Sequence, residues 1–369
     1  MAKSRVGAKG LAKELSDVAV IVVTYNSASI VRKLADTLQG LVRHGAKAII
    51  IDNASSDNTV NVLHKVASAL SQRVIVIELR HNVGFAAACN IAAIVAERLG
   101  ARYLLFLNPD VRVTASSVFQ LKRLLESSEM VAGCMLVSEK GEIDSLGGYV
   151  DAALSPGELL HGFSLKPLFP LREMRILLPS ASVCMACAMV PLSLFKRIGL
   201  LNRDMFIYFE DVEFSLRAWS HNIPVVVNLA AVAVHGRGKG GRRDARTKTL
   251  IRYYSVRNPI IISLRFWGSI IPLGQFVKVL SMLLYSLVTR NRLLARSVID
   301  GIIVGLHGER RRLPRGLALG SFDPGNYALF WVVKAMLHGV RSVDRSLGIA
   351  SAEIGKRFLL QVLRGLGGS

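Results

Sequence analysis

The first apolar run of the chain decides the fold, and it reads VAVIVVTYN from Val18 to Asn26. Six consecutive apolar residues that end at polar side chains predict a strand buried on both faces. Similar runs follow at Ala48–Ile51, Val74–Ile77 and Tyr103–Leu107. Apolar residues at helical spacing between the runs predict helices over residues 28–43, 58–70 and 85–99. Strands alternating with helices predict an α/β fold with a mostly parallel sheet flanked by helices.

Polar side chains stand where three of these strands end. They are Thr24, Tyr25 and Asn26 after the first strand, Asp52 in the second, and Asn108-Pro109-Asp110 after the fourth. Ligands of open α/β sheets bind beyond the carboxyl ends of the strands. We therefore expect the functional site at this edge of the sheet.

The middle of the chain is less regular. Residues 133–180 hold several glycines and prolines and predict few regular elements. Beyond them, the pattern predicts a strand over Ser182–Val190, a helix over Asp211–Trp219 and a strand over Pro224–Val234 that ends at His235. A basic, glycine-rich loop follows at residues 236–243.

Composition narrows the class of protein. The chain has 369 residues, of which 51% are hydrophobic and 20% charged, and this excludes a disordered chain. Four cysteines are too few for a disulfide scaffold. The start of the chain is basic, but its first apolar run is too short for a secretory signal. We therefore expect a cytoplasmic location with reduced thiols.

The net charge of +21 is concentrated in the last third of the chain. Residues 18–236 carry +2, whereas residues 237–369 carry +17. The same third is apolar, and a basic, apolar segment is typical of proteins that bind an anionic membrane surface. Nucleic-acid binding is the competing use of such charge, but the sequence has no nucleic-acid motif. We expect a lipid partner and no nucleic acid.

The apolar stretch Pro259–Thr289 permits two interpretations. Its uncharged runs are shorter than the roughly 20 residues that span a bilayer, which favours a pair of interfacial helices. A single spanning helix that tolerates Lys278 is the alternative. Residues 327–347 place four basic side chains on one helical face, typical either of a solvated stripe or of membrane contact.

Five short motifs occur in order between residues 18 and 236. They are Val22–Asn26 (VVTYN), Ile51–Asp57 (IDNASSD), Asn82–Ala86 (NVGFA) with Asn90, Leu107–Asp110 (LNPD) and Phe209–Arg217 (FEDVEFSLR). Together they resemble the family 2 glycosyltransferases, which have a Rossmann-like GT-A fold, and in particular the bacterial rhamnosyltransferase-like members. The resemblance divides the chain into a basic tail (1–17), a catalytic domain (18–250), membrane-associating helices (251–310) and a helical tail (311–369).

The resemblance implies an inverting transferase. It would move a sugar, with L-rhamnose as one candidate, from a nucleoside diphosphate to a lipid-linked or polysaccharide acceptor of the cell envelope. It would work at the cytoplasmic face of the inner membrane, peripherally or with at most one spanning segment. Transfer of galactofuranose, glucose or mannose is one alternative, and a catalytically inactive membrane-surface binding protein is another.

The resemblance also assigns roles to residues that have simpler interpretations. Asp110 would hold Mg²⁺ or Mn²⁺ against the diphosphate with His235, although Asn108 replaces the first acid of the family motif. The simpler alternatives are a plain turn and a structural histidine. Asp211 would be the general base, its pKa raised by Glu210, and the alternative is a helix-terminal charge. Glu213 is expected at the helix surface or in support of the site.

The remaining assignments concern the donor. Asp52 would bind the nucleobase with Thr24, Tyr25 and Asn26, or form a turn with Ser55 or Ser56. Asn82 and Gly84 would cover the ribose and sugar, and Arg237 in the basic loop would contact the diphosphate together with Lys239, Arg242 and Arg243. Cys184 and Cys187 have no second pair at zinc spacing and are expected to be buried strand cysteines.

Overall fold

A computed structural model describes residues 14–70, 73–150, 156–158, 177–236, 245–266 and 273–307. These residues form an α/β fold built on a ten-stranded sheet. A separate two-stranded sheet pairs β8 (Gly148–Val150) with β9 (Pro156–Glu158).

Four parallel strands form one half of the large sheet. They are β1 (Val18–Thr24), β2 (Lys47–Asp52), β3 (Val74–Glu78) and β4 (Tyr103–Leu107), in the spatial order β4–β1–β2–β3. The four strands predicted from the apolar runs are confirmed. The register pairs Thr24 with Asp52, so the polar ends of β1 and β2 lie side by side.

The other half of the sheet is mixed. It adds β11 (Cys187–Pro191), β6 (Val131–Ser138), β12 (Val225–His235) and β10 (Leu177–Pro179), with β5 (Val111–Val113) beside β12 and β7 (Ile143–Ser145) beside β6. β11 runs antiparallel to β4 and β6, whereas β12 runs parallel to β6. The strand predicted over Ser182–Val190 is wrong in its first half, since Ser182 makes an isolated bridge to Gly148 and β11 starts at Cys187.

Helices cover both faces of the sheet. They are α1 (Ala28–Arg43), α2 (Thr59–Ala69), α3 (Phe85–Arg98), α4 (Ala115–Ser127), α5 (Leu192–Arg197) and α6 (Glu210–Ser220). Alternate residues of β1 supply the two cores. Val18, Val20 and Val22 pack with α1, α2 and α4, whereas Ala19 and Ile21 pack with α3, α5 and α6. Burial on both faces explains why the strands are continuously apolar.

Three further helices follow the sheet: α7 (Ala245–Phe266), α8 (Leu273–Val288) and α9 (Arg292–His307). α9 packs closely on α7 at Gly301 and Gly305. A Cβ at Gly301 would lie 2.9 Å from the carbonyl oxygen of Arg257, and one at Gly305 would lie 2.6 Å from Leu264. The two glycines therefore permit the approach of the two helices.

The stretch Pro259–Thr289 falls on the end of α7 and on α8. In the part of the chain that the structure describes, no helix has both the length and the hydropathy needed to cross a bilayer. The predictions for residues 311–369 and 327–347 lie outside the described residues.

Candidate active site

The ends of β1 and β2 are joined by the carboxylate of Asp52. Its Oδ1 accepts hydrogen bonds from the hydroxyls of Thr24 (2.9 Å) and Ser55 (2.6 Å), and its Oδ2 accepts one from the Ser55 amide (2.8 Å). Asp52 is 1% exposed. The structure therefore contains the predicted turn with Ser55, and the nucleobase contact stays a prediction.

Tyr25 and Asn26 form the rim of this turn. The ring of Tyr25 is 45% exposed, whereas the Asn26 backbone takes a φ of 47° and its amide donates to the Ser55 hydroxyl (2.9 Å). The side-chain oxygen of Asn26 accepts from the Ser56 amide (2.8 Å). Tyr25 and Asn26 are therefore the two exposed residues of the VVTYN motif.

The Asn82–Gly84 loop lies next to the segment that leads into α6. The Asn82 side chain accepts a hydrogen bond from the Gly84 amide (2.9 Å), and Gly84 has a φ of 85°. A Cβ on Gly84 would lie 2.6 Å from the carbonyl oxygen of Phe206, which also accepts from the Phe85 amide (2.6 Å). Only glycine fits both this φ and this contact.

Asp110, His235 and Asp144 lie in a row, in which His235 and Asp144 are buried and Asp110 is partly exposed. His235 Nε2 lies 3.4 Å from Asp110 Oδ1, and its Nδ1 lies 2.7 Å from Asp144 Oδ2. Burial by itself lowers the pKa of His235, but the hydrogen bonds and charges of Asp110 and Asp144 outweigh it and raise that pKa to about 9. The ring thus lies between the two carboxylates.

Asp144 is the member of this row of groups that sequence reasoning missed. It lies in the three-residue strand β7, within the stretch where the sequence predicts few regular elements, and no motif marks it. The pairing of β7 with β6 brings it to His235, 91 residues away along the chain. No sequence signal distinguishes it from an ordinary surface aspartate.

The geometry of Asp110 and His235 fits a divalent cation. Two neighbouring ligands of Mg²⁺ or Mn²⁺ lie roughly 3 Å apart when each bond is about 2.1 Å long, which is close to the observed 3.4 Å. A metal-binding histidine usually donates its other ring N–H to a carboxylate, as His235 does to Asp144. Within the described ranges, no group of three or more His, Cys, Asp or Glu side chains is arranged to hold a metal.

The candidate base Asp211 lies in the first turn of α6, next to the segment that precedes β11. Its Oδ2 accepts a hydrogen bond from the Met185 amide (3.4 Å). The next residue, Ala186, accepts from the Asn108 amide (2.9 Å). The Met185-Ala186 step therefore connects the candidate base to the strand end that carries Asp110.

The carboxyl of Glu210, the residue before Asp211, has a raised pKa. Burial, and then the charge of Asp211, raises the pKa of Glu210 to about 8. Its Oε2 is buried and has no hydrogen-bond partner among the residues described. The charge of Asp211 thus raises the pKa of Glu210, whereas the predicted effect of Glu210 on the pKa of Asp211 stays a prediction.

We expect the Glu210→Gln variant to change the pH dependence of stability. A carboxyl with a folded pKa of about 8 and an ordinary unfolded value near 4.5 favours folding at low pH. Its contribution is lost as the pH rises from about 5 to 8, by up to about 1.4 kcal/mol per unit. Urea unfolding at pH 5, 6, 7 and 8 measures the free energy of unfolding. This free energy should depend less on pH in Glu210→Gln than in the wild type. Glu142→Gln, an exposed control, should keep the wild-type slope, and an equal slope in Glu210→Gln would contradict the assignment.

Two expectations for this region are wrong in part. Glu213 does not lie at the helix surface, since it is 4% exposed and pairs with the buried Arg217 at 2.7 Å, and its alternative role in support of the site stays a prediction. The expectation of a buried strand cysteine is confirmed for Cys187, whose thiol lies 3.3 Å from that of Cys134, and is wrong for Cys184, which precedes β11 and is only partly buried. The thiols of all four cysteines are reduced.

The predicted diphosphate contacts from the basic loop, Arg237, Lys239, Arg242 and Arg243, fall outside the described residues.

Comparison with solved structures identifies the fold. The structure is similar to the crystal structure of GalNAc-T7 with UDP, GalNAc and Mn²⁺, with a TM-score of 0.54 and 14% identity. The match covers 78% of this chain and 55% of that one, and at this identity it concerns the fold alone. The fold is GT-A.

Sequence comparison gives the family. Residues 19–199 match the model of Glycosyl transferase family 2, so this part of the chain is a family 2 glycosyltransferase domain and the protein is a glycosyltransferase. A low-salt glycan biosynthesis hexosyltransferase of Haloferax volcanii, Agl10, is 24% identical over 303 residues, or 81% of this chain and 92% of the relative. The dTDP-rhamnosyl transferase RfbF of Shigella flexneri is 21% identical over 253 residues, or 67% of this chain and 80% of the relative.

Proposed function

We propose that this enzyme transfers a hexose, with L-rhamnose as the first candidate, from a nucleoside diphosphate to a lipid-linked or polysaccharide acceptor of the cell envelope. One observation carries the proposal: the Met185-Ala186 step contacts both Asp211 and the strand end that leads to Asp110. A proton acceptor and a candidate diphosphate site therefore share one edge of the sheet. The names of the relatives, a glycan hexosyltransferase and a dTDP-rhamnosyl transferase, support the sugar class.

The arrangement supports a single displacement. Asp211 would take the proton of the acceptor hydroxyl, whose oxygen forms a bond to the anomeric carbon. The bond from that carbon to the diphosphate breaks, and the configuration at the carbon inverts. Asp110 and His235 would hold Mg²⁺ or Mn²⁺, which neutralises the charge of the leaving diphosphate when bound. Asp144 would keep His235 Nε2 directed at Asp110.

We infer a peripheral position on the cytoplasmic face of the inner membrane from α8 and α9. Large apolar side chains on these helices are exposed to solvent: Phe276, Val277, Leu280, Leu284, Tyr285, Leu287, Val288, Ile299, Ile303 and Leu306. The segment from Ala245 to His307 has nine basic residues and one acidic residue, Asp300. An apolar surface within a basic segment suits anionic lipid. The enzyme would then meet its lipid-linked acceptor at the membrane.

Titration calorimetry tests the donor. The panel is dTDP-rhamnose, UDP-glucose, UDP-galactofuranose and GDP-mannose, each with Mg²⁺ and with Mn²⁺. We expect one donor to bind tightly. We also expect the enzyme to release the nucleotide of that donor when an acceptor lipid extract is present. Donor binding without nucleotide release would favour the inactive binding protein instead. A folded protein that binds none of the donors would contradict the proposal.

Vesicle flotation tests the membrane surface. We expect the wild type to float with vesicles that contain phosphatidylglycerol. The double variant Phe276→Glu/Leu284→Glu should lose at least about ten-fold in the bound fraction, since two charges must enter the lipid interface. Ile94→Glu, which changes an equally exposed apolar residue on α3, should bind like the wild type. Equal binding of all three proteins would contradict the assignment of the surface.

A further inference from the structure

The segment that leads into the candidate base has an unusual backbone. It comprises residues 204–209, called the base loop below, and it ends one residue before α6. Phe206, Tyr208 and Phe209 have φ values of 59°, 67° and 67°. Residues with a Cβ rarely adopt this region, at a cost on the order of 1–3 kcal/mol each. The base loop therefore needs contacts from outside itself to keep this conformation.

Asn258 of α7 supplies those contacts. Its side-chain nitrogen lies 2.8, 3.1 and 2.8 Å from the carbonyl oxygens of Met205, Ile207 and Tyr208. Its side-chain oxygen accepts from Arg257 Nη1 (2.8 Å), which also donates to the carbonyl of Asp204 (2.7 Å). Asn258 is fully buried. Two neighbouring side chains thus lie within hydrogen-bond distance of four carbonyl groups of the base loop.

Apolar packing reinforces this attachment. Ile261 and Ile262 of α7 share one buried cluster with Met205 of the base loop and with Val212 of α6. The ring of Phe206 stacks on Tyr254 of α7, with centroids 5.1 Å apart and planes 12° from parallel. α7 therefore contacts both the base loop and the helix that carries Asp211.

The donor side of the site has its own anchors. The Val83 amide donates to the Asn53 side chain (2.9 Å), and the Gly84 amide donates to Asn82 (2.9 Å). Neither bond involves Asn258 or the base loop, whereas the bond from the Phe85 amide to the Phe206 carbonyl (2.6 Å) joins the donor loop to the base loop. Because the donor loop has these two further anchors, a change at Asn258 should displace the base more than the donor loop.

We propose that Asn258 is a positioning residue for catalysis, which holds the base loop in its left-handed conformation and thereby places Asp211 against the acceptor hydroxyl. This inference rests on the proposed function, because it takes Asp211 as the base. It gives α7 a role in turnover that is separate from any membrane contact of α8 and α9.

The test compares Asn258→Ala with Ser263→Ala. Ser263 is also buried on α7, but its hydroxyl donates to the Pro259 carbonyl of the same helix (2.9 Å). We expect Asn258→Ala to lower kcat by about 30- to 100-fold while the donor Kd changes by less than about three-fold. Hydrogen exchange should become faster in peptides that cover residues 203–210, and Ser263→Ala should show neither effect. Arg257→Met keeps the aliphatic part of the side chain. It should lower kcat and speed hydrogen exchange in the base loop, each by less than Asn258→Ala does.

The outcomes separate two hypotheses: that Asn258 holds the base loop, and that this attachment positions Asp211 for catalysis. Unchanged exchange in the base loop of Asn258→Ala would overturn the attachment. Faster exchange with normal kcat would overturn the positioning role, as would equal losses of kcat and donor affinity. If Asn258→Ala does not fold, Arg257→Met decides by the same criteria. If the wild type releases nucleotide from no donor, the proposed function fails together with the catalytic role, whereas the exchange measurement still decides whether Asn258 holds the loop.

Discussion

Asp211→Asn is expected to lower kcat by about 10³-fold and to leave the donor Kd within about three-fold of the wild type. General bases contribute roughly 10²–10⁴ in rate, and an amide cannot accept the proton of the acceptor hydroxyl. The donor contacts lie on other elements, so binding should persist. The measurement is the initial rate of nucleotide release with acceptor, together with donor calorimetry.

The asparagine variant also separates the two interpretations of Asp211. If Asp211 serves only as a charge at the start of α6, its loss costs about 0.3–1 kcal/mol of stability and little activity. Asp36→Asn, on the exposed surface of α1, is the matched control for the loss of one charge. A kcat for Asp211→Asn within a few-fold of the control would remove Asp211 from the mechanism.

Asp110→Asn is expected to lower kcat/KM by at least about 10²-fold and to abolish the dependence of donor binding on Mg²⁺ or Mn²⁺. A cation against the diphosphate stabilises the developing charge by several kcal/mol, and the amide is a poor ligand for it. Electron paramagnetic resonance can follow manganese binding in the presence of nucleoside diphosphate. It measures the loss of the metal site independently of turnover.

A second variant distinguishes a ligand from a turn residue. Asparagine is as common in turns as aspartate, so a plain turn at Asn108-Pro109-Asp110 would tolerate Asp110→Asn. His235→Asn should weaken manganese binding in the same direction, because His235 Nε2 faces Asp110 Oδ1. Normal manganese binding by both variants would place the cation elsewhere.

Local patterns were enough to predict the first half of the fold. The helix over residues 28–43 and the strand Tyr103–Leu107 occur with the predicted bounds, because the period of buried residues in each depends only on its own backbone geometry. The mixed half of the sheet was harder to predict from the sequence. Its strands β5, β7 and β10 have three residues each, which is too short to show a period of buried residues. The antiparallel insertion of β11 between β4 and β6 depends on long-range pairing.

The sequence by itself determined the α/β class, the polar strand ends and the residue types for the candidate chemistry, since each depends on neighbours along the chain. Only the tertiary structure decided which distant groups support them. Asp144 reaches His235 across 91 residues, and Asn258 reaches the base loop across about 50. The pair Glu213–Arg217 has the i, i+4 spacing of one helix, and only its burial depends on how α6 packs. A hydrogen bond between distant elements leaves no period in the sequence, because it is fixed by how the sheet and helices come together in space.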